Sequence, residues 1–339
     1  MSDLRKVQKT GGSTYIISLP KKWANANGVK VGDILTMVPG ERGTLIIDPN
    51  YDDVDEPRKK RIVIRNEVPE HFLRRLISVY INGYNVIEIE ARSAMSSEMK
   101  EAIRRFTRMV IGPEITEESI NNVHIKDLLD THGFGIQHAV KRIYRITYSM
   151  LSDSFEAVNK GESDIAKDVV SRDEDVDRLF WLISKQFNLM LKRPRCLQKE
   201  ISVEESLNYY LVGRILERIA DHARNISKHL LAVTDKNVTG KTPLSKQTHK
   251  YFRMAGKTSL GMLEGSFDSF IKGDCDLANK TIDRTWELKE LYTSGISTID
   301  GKNPKLPVAI AGIMESVKRA GMYASDIAEI AINMMENHN

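Results

Sequence analysis

Short apolar runs separated by glycine, serine and threonine mark the first 50 residues of the chain. These runs are rich in β-branched residues and predict a small β-α-β-β module that ends at a turn signal, Asp48-Pro49-Asn50. The predicted strands cover residues 14–19, 33–38 and 43–47, and a short helix with proline at its start covers residues 20–27. We therefore place a first domain, the head, at residues 1–50.

The next stretch alternates strand-like and helix-like patterns. Residues 51–60 are acidic and then basic, contain Pro57 and show no periodicity, so they are interpreted as a linker. Residues 61–135 then predict a small α/β connecting layer. Its strands are expected at residues 61–64, 86–89, 114–118 and 122–126, and its helices at residues 70–83 and 96–110.

Beyond residue 135 the strand signal disappears and apolar positions recur with the 3.6-residue period of helices. Breaks near Gly161, Pro194, Gly240, Gly273 and Pro304 divide this stretch into six helices. Residues 154–166 match residues 266–278 at a constant offset of 112, which indicates a duplicated unit. We expect two three-helix repeats, at residues 136–235 and 245–339, in a multi-domain α+β protein.

Composition narrows the class of protein. The 339-residue chain is 41% hydrophobic but has no run of about 18 apolar residues, and its charged N-terminus lacks a signal-peptide core. We therefore expect a cytoplasmic protein without membrane insertion. Cys196 and Cys275 stand alone, which argues against a disulfide framework and against a thiolate zinc site.

Sequence motifs for catalysis are missing. The eight histidines form no HExxH spacing, and no P-loop, GxSxG or GxGxxG motif follows a predicted strand. The chain is therefore predicted not to be an enzyme.

Two acidic pairs lie on neighbouring predicted helices of the first repeat. Glu217 and Asp221 share one helix face, with isoleucines roughly opposite, so they are expected to point away from the bundle. A surface ion-paired with Arg214 and Arg218 is the simpler interpretation of that pair alone. The preceding helix carries a second pair, which gives a set of four acids: Asp173, Asp177, Glu217 and Asp221. Four carboxylates held together favour a bound multivalent cation.

The segment ERIADHARNI at residues 217–226 resembles the signature of the PhoU family. The resemblance covers residues 136–339 and implies tandem three-helix repeats that bind iron, zinc or other metal ions and restrain phosphate uptake. By position it assigns the metal to Asp173, Asp177, Glu217 and Asp221. In the second repeat the four acids are replaced, in order, by Thr285, Lys289, Lys318 and Met322, although Asp283 and Glu287 form a shifted acidic pair. We therefore expect one metal site, in the first repeat.

The head carries most of the net charge of +4. Residues 1–48 hold seven basic and four acidic side chains, a net of +3. Arg5, Lys6 and Lys9 precede the first predicted strand, and Lys21 and Lys22 open the short helix. These five residues suit a DNA backbone, while charge alone would equally serve solubility.

The order of residues 5–13 (RKVQKTGGS) and 17–23 (ISLPKKW) resembles the SpoVT/AbrB family. That resemblance implies a swapped-hairpin β-barrel built from two chains, and hence a homodimer that contacts DNA. It implies that the same basic residues face DNA: Arg5, Lys6, Lys9, Lys21 and Lys22.

Together the two resemblances predict a DNA-binding transcriptional regulator of phosphate uptake whose helical repeats sense a signal or bind a partner. The alternative is a regulator that acts by protein contact on a phosphate transporter ATPase, or on another phosphate-signalling protein. In that case the head would serve mainly for dimerisation.

Overall fold

The computed structural model separates the chain into two compact units, residues 1–56 and residues 57–339. Each unit is considered by itself below. The structure describes residues 4–39, 43–49, 57–129, 135–192, 201–234, 242–299 and 305–336.

The first unit contains two β-hairpins and one short helix. Strand β1 (Gln8–Thr10) pairs with β2 (Thr14–Ile16), helix α1 spans Lys21–Ala26, and β3 (Thr36–Pro39) pairs with β4 (Leu45–Asp48). The predicted helix and three strands are confirmed. The prediction lacked β1, because its three residues are polar and carry no apolar alternation.

The first hairpin turns at Gly11 and Gly12, which have φ angles of 58° and 82°. Side chains other than glycine rarely adopt such positive φ values, so this turn depends on the glycine pair. The turn sets Thr10 opposite Thr14 and Lys9 opposite Tyr15.

None of the described residues of the first unit is buried. Its apolar side chains, Tyr15, Ile16, Ile34, Met37 and Leu45 among them, remain exposed. A module of this size has too little interior to hide these groups by itself. The closed barrel expected from two chains stays a prediction.

The second unit begins with a four-stranded sheet covered by two helices. Its elements are β5 (Lys59–Ile64), α2 (Pro69–Ile81), β6 (Val86–Ala91), α3 (Ser97–Met109), β7 (Pro113–Glu118) and β8 (Asn122–Asp127). The strand order is β5-β6-β8-β7, with β5 and β6 parallel and the other pairs antiparallel. All six predicted elements are confirmed, and β5 begins inside the predicted linker.

One face of this sheet packs under the helices. Ile87, Ile89 and Ile125 alternate with polar residues and join Phe72 of α2 and Phe106 of α3 in a single core. The alternation therefore leaves a polar face on the other side of the sheet.

Six long helices complete the described part of the second unit. They are α4 (Ile136–Lys160), α5 (Ser163–Lys192), α6 (Val203–Val233), α7 (Lys246–Lys272), α8 (Cys275–Ile296) and α9 (Lys305–Glu336). The six predicted helices are confirmed, although Pro194, Cys196, Gly240 and Pro304 lie outside the described residues. Of the helices described, none combines the length and the apolar character that crossing a membrane requires.

The duplication is visible in how the first helix of each repeat ends. Helices α4 and α7 both end at a left-handed glycine, Gly161 with φ 69° and Gly273 with φ 67°. These glycines are 112 residues apart, as the sequence repeat requires. Glycine at this position closes the helix without a steric penalty.

Helices of both repeats share one hydrophobic core. Tyr144 of α4 stacks on Phe267 of α7 with ring centroids 3.7 Å apart, and Phe155 meets Phe252 edge to face at 5.8 Å. The repeats therefore form one continuous bundle.

A buried ion pair joins the sheet to the bundle. Lys185 of α5 donates to Asp127 at the end of β8, and these side chains are 0% and 2% exposed. The Lys185 ammonium also lies 4.8 Å from the centre of the Tyr80 ring of α2. A charge removed this far from water requires a partner, so each member holds the other in place.

We predict that Lys185→Met destabilises the protein by about 3–5 kcal/mol, because Asp127 is left charged and buried. The double variant Asp127→Asn with Lys185→Met is expected to recover part of that loss. Urea denaturation followed by circular dichroism measures both. Lys167→Met is the matched control, since Lys167 pairs with Asp164 on the exposed face of the same helix. Equal losses for the two lysine variants would contradict the assignment.

Candidate functional site

Helices α5 and α6 bring the two predicted acidic pairs together. Asp173 and Asp177 lie on α5, and Glu217 and Asp221 lie on α6; we call these four residues the acidic cluster. Asp173 and Asp177 line a cavity of about 630 Å³, with the arginines of α3 on its rim. Arg224 contacts one acid of each pair, so the pairs are neighbours, while their role as metal ligands stays a prediction.

Arg224 supplies the main positive charge of the acidic cluster. Its Nη1 donates to the buried Asp173 carboxylate, and its Nη2 lies 2.6 Å from Asp221 Oδ1. Burial disfavours the charged guanidinium, but the charges of Asp173 and Asp221 raise the pKa of Arg224 overall. The arginine thus bridges α5 and α6.

Asp177 lies beside this bridge in a crowded acidic environment. Burial, strengthened by the neighbouring charges of Asp173 and Glu217, raises the pKa of Asp177 to about 7. Burial also raises the pKa of Asp173, although Arg224 opposes that change. The acidic cluster therefore holds one carboxyl group that changes charge near neutral pH.

Glu217 pairs with Arg214, as the simpler interpretation expected, and it also lies in the acidic cluster. Its Oε1 accepts a 3.2 Å hydrogen bond from Arg214, while its buried Oε2 has no partner among the described residues. The expectation that these acids point away from the bundle is wrong for Glu217, whose side chain is only 15% exposed. Burial raises the pKa of this carboxyl as well.

A metal ion suits the chemistry of the acidic cluster but not its arrangement. Carboxylate oxygens are the ligands that hard cations prefer. Within the described ranges, however, no three His, Cys, Asp or Glu side chains are grouped to hold a metal. Arg224 already occupies Asp173 and Asp221. The residues as arranged do not fit a metal, and the predicted ion stays a prediction.

The corresponding positions of the second repeat carry cations and apolar groups. Lys318 pairs with Glu315 at 2.7 Å and lies 3.9 Å from the centre of the Tyr292 ring. Thr285 is buried, and the Lys289 ammonium lies 5.3 Å from the Trp286 ring centre. The two repeats have therefore diverged at this place in the fold.

Sequence reasoning missed Arg224 and the basic residues around the cavity. These lining residues are Arg105 and Arg108 of α3, Arg178 of α5 and Lys228 of α6. The sequence signal for Arg224 was its place three residues after Asp221, where helix side chains are neighbours. Arg105 and Arg108 of α3 lie in the predicted α/β connecting layer, outside the helical repeats. No sequence spacing could therefore place them beside the acidic cluster.

All five basic residues predicted in the head are exposed: Arg5, Lys6, Lys9, Lys21 and Lys22. Lys9 lies in β1, and Lys21 and Lys22 form the first turn of α1 after Pro20. Their charges face solvent and are accessible to an anionic partner.

The described residues form a duplicated three-helix bundle and a four-stranded sheet layer, and the first unit forms a basic β-hairpin head. The family model "PhoU domain" matches residues 140–230 and 252–331, half of the chain. The chain belongs to the PhoU family. Residues 8–66 match the model "Antidote-toxin recognition MazE, bacterial antitoxin", in agreement with the AbrB-like head that the sequence predicted.

Relatives are similar over most of their own length. A protein from Pseudomonas putida named "Phosphate-specific transport system accessory protein PhoU homolog" is 33% identical over 229 residues, 65% of this chain and 85% of the relative. A protein of the same name from Caulobacter vibrioides is 27% identical over 199 residues, 56% of this chain and 82% of the relative.

The crystal structure of PhoU from Pseudomonas aeruginosa is similar in fold, with a TM-score of 0.52 at 18% identity. The match covers 60% of this chain and 96% of that one.

We predict that Asp177→Asn stabilises the protein at pH 8 by about 1–3 kcal/mol. The pKa of Asp177 is raised on folding, so the folded state binds more protons than the unfolded state between about pH 4 and pH 7. The free energy of unfolding of the parent therefore falls as pH rises through that window. The asparagine amide of the variant does not ionise, so the variant does not lose this stability. Urea denaturation at pH 4, 6 and 8 with a chelator present measures it.

The stabilisation is expected to vanish at pH 4, where Asp177 is protonated in the folded protein. Asp175→Asn, on the exposed face of α5, is the control and should leave the pH profile unchanged. A pH-independent effect of Asp177→Asn would contradict the prediction.

We also predict that Arg224→Gln increases the affinity of the acidic cluster for Mn²⁺ roughly tenfold, because two carboxylates lose their internal cation. Calorimetric titration of chelator-treated protein measures this affinity. Arg214→Gln, which frees only Glu217, is the control. Elemental analysis of the parent protein tests whether it carries a metal at all, and unchanged Mn²⁺ affinity in the Arg224 variant would refute the role of the arginine.

Proposed function

We propose that this protein is a cytoplasmic, DNA-binding transcriptional regulator of phosphate uptake that works as a homodimer. The observation that carries the proposal is the combination, in one chain, of PhoU repeats with an exposed basic head that matches a MazE antitoxin model. The head would bind DNA, and the repeats would sense the signal or bind a partner.

The exposed apolar residues of the head support dimerisation. Tyr15, Ile34 and Met37 are more than half exposed although they lie on or beside its hairpins and helix. Pairing with the hairpins of a second chain would bury such side chains and gain about 25 cal/mol for each Å² of apolar surface removed from water. A homodimer is the simplest way for a module this small to complete its core.

The basic residues of the head support binding to DNA. Arg5, Lys6 and Lys9 precede or lie in β1, and Lys21 and Lys22 begin α1. Two chains would present this set twice, related by the twofold symmetry that palindromic DNA sites share. Lysine and arginine contacts to phosphates release counterions, so affinity is expected to depend steeply on salt.

A second candidate function follows from the relatives' names, which describe accessory proteins of phosphate-specific transport. In this alternative the helical bundle restrains a phosphate transporter ATPase or another phosphate-signalling protein by direct contact. The head then serves mainly for dimerisation. Salt dependence and DNA affinity distinguish the two functions.

We predict that Lys21→Gln with Lys22→Gln weakens binding of the full chain to DNA from upstream of phosphate-transport genes. The slope of log K against log salt should fall in magnitude by about 0.9 for each DNA phosphate that these lysines no longer neutralise. Fluorescence polarisation between about 50 and 300 mM salt measures both quantities. Lys246→Gln with Lys250→Gln, at the exposed start of α7, is the matched control and should bind as the parent does.

Chromatin immunoprecipitation at high and low phosphate then tests the signal and the target genes together. If the parent protein binds no genomic DNA even at about 50 mM salt, the regulator proposal fails. Capture of the transporter ATPase by the same preparation would then favour the second candidate.

A further inference from the structure

A second cavity lies between the first helices of the two repeats and shares no lining residue with the cavity at the acidic cluster. This inter-repeat cavity, of about 780 Å³, is formed by the C-terminal half of α4 and the N-terminal half of α7, with Arg284 of α8 at its side. Its volume falls within the range of small-molecule sites.

Among the charged residues that line the inter-repeat cavity, cations outnumber carboxylates. Four cationic side chains, those of Lys160, Arg253, Lys257 and Arg284, face two carboxylates, those of Glu156 and Glu264. Lys160 is paired with Glu156 at 2.5 Å. Within the part of the chain that the structure describes, neither Arg253 nor Lys257 forms an ion pair or a hydrogen bond. The cavity therefore has uncompensated positive charge.

The duplication shows that α7 carries glycines where α4 carries larger side chains. Offset by 112 residues, Tyr144, Ser149 and Asp153 of α4 correspond to Gly256, Gly261 and Gly265 of α7. In the first repeat the Tyr144 ring stacks on Phe267, whereas in the second Phe155 meets the bare backbone of Gly256, where a Cβ would lie 3.1 Å from its ring. These three glycines let Phe155, Arg284 and Thr281 approach the backbone of α7, since a Cβ at each position would lie 3.1 Å or less from those side chains.

The same comparison shows that Arg284 lacks the partners of its first-repeat counterpart. Its counterpart Arg172 is held by Asp153 at 2.6 Å, by Asp168 at 2.9 Å and by Ser149 at 2.9 Å. In the second repeat these three partners are replaced, in order, by Gly265, Lys280 and Gly261. Among the residues that the structure describes, Arg284 keeps one loose ion pair, with Glu287 at 3.7 Å.

The guanidinium of Arg284 sits directly over the glycine backbone of α7. A Cβ at Gly261 would lie 2.6 Å from Arg284 Nη1, so a larger residue there would displace the arginine. Guanidinium groups bind phosphate oxygens through two parallel hydrogen bonds, and lysines add point charges around them. Arg253 and Lys257, one turn apart on α7, are placed for that second role.

We propose that the inter-repeat cavity is a binding site for a small ligand that carries two or more linked phosphates. Arg284 holds one phosphate, and Arg253 and Lys257 hold its neighbour. Gly256 and Gly261 line the cavity and let Phe155 and Arg284 approach the backbone of α7. The ligand is a nucleoside polyphosphate or an inorganic oligophosphate, which share this recognition chemistry.

The test is calorimetric titration of the full chain with ATP, with tripolyphosphate and with orthophosphate. We expect binding of the first two probes at micromolar to low millimolar concentration, and much weaker binding of orthophosphate. ATP binding more tightly than tripolyphosphate identifies a nucleotide site, and equal affinities identify an oligophosphate site. All titrations are run in the Lys21→Gln, Lys22→Gln background, so that binding at the head is removed.

Two variants locate the site. Arg284→Gln should weaken binding at least roughly tenfold. Lys280→Asp should also weaken it, although Lys280 does not line the cavity, because an acid four residues before Arg284 recreates the pairing of Asp168 with Arg172. Lys280 is exposed, so this change leaves the core intact.

Lys141→Gln with Arg145→Gln is the matched control, since these residues are the first-repeat counterparts of Arg253 and Lys257 and do not line the cavity. It should bind the probes as the parent does. The proposal is overturned if neither ATP nor tripolyphosphate binds, or if Arg284→Gln and Lys280→Asp leave affinity unchanged. These outcomes do not depend on DNA binding by the head.

Discussion

Charged side chains that leave water must be neutralised, and this constraint shapes the second unit. Its helices bury long apolar faces in one shared core, and several acids lie on those helices close to the packed surfaces. The Asp127 carboxylate is satisfied by Lys185, and the Asp173 carboxylate by Arg224. Each pair also spans two elements, so neutralising the charge positions one helix or strand against another. The ion pairs that neutralise buried charge are therefore also contacts that position the elements.

The two repeats differ in which charged residues they carry and in how those charges are paired. The first keeps its four acids and provides Arg224 and Arg214 as internal cations. In the second repeat those acids are replaced, and so are the partners of Arg284. The second repeat supplies Arg253, Lys257 and Arg284 to the inter-repeat cavity, where cations outnumber carboxylates. In the first repeat Arg172, the counterpart of Arg284, is instead paired with Asp153 and Asp168.

The head depends on a different balance. Its hairpins form local hydrogen bonds, and none of its described residues is buried, so a second copy of the head is the partner that we propose to cover its apolar side chains. The same module also exposes basic residues, so dimerisation and DNA binding are parts of one proposal. Relatives of this chain are named as accessory proteins of phosphate-specific transport, and that name is the basis of the proposed role in phosphate uptake.

The sequence by itself determined the elements and the repeat. The positions of α2, β6 and the six long helices follow from local periodicity and from glycine and proline breaks, which act within a few residues. The approach of the two acidic pairs also followed, because they lie on consecutive helices of one repeat. Strand β1 escaped prediction because its polar residues carry no period.

Only the tertiary structure decided how the charges are paired. Arg224 reaches across to Asp173, and Lys185 reaches Asp127, at sequence separations for which no spacing rule exists. The inter-repeat cavity likewise depends on which glycines face which helix, since Gly256 matters only because Phe155 lies opposite it. Local pattern sets where helices form, but desolvation and packing between distant segments determine which charges are neutralised and which remain available to a ligand.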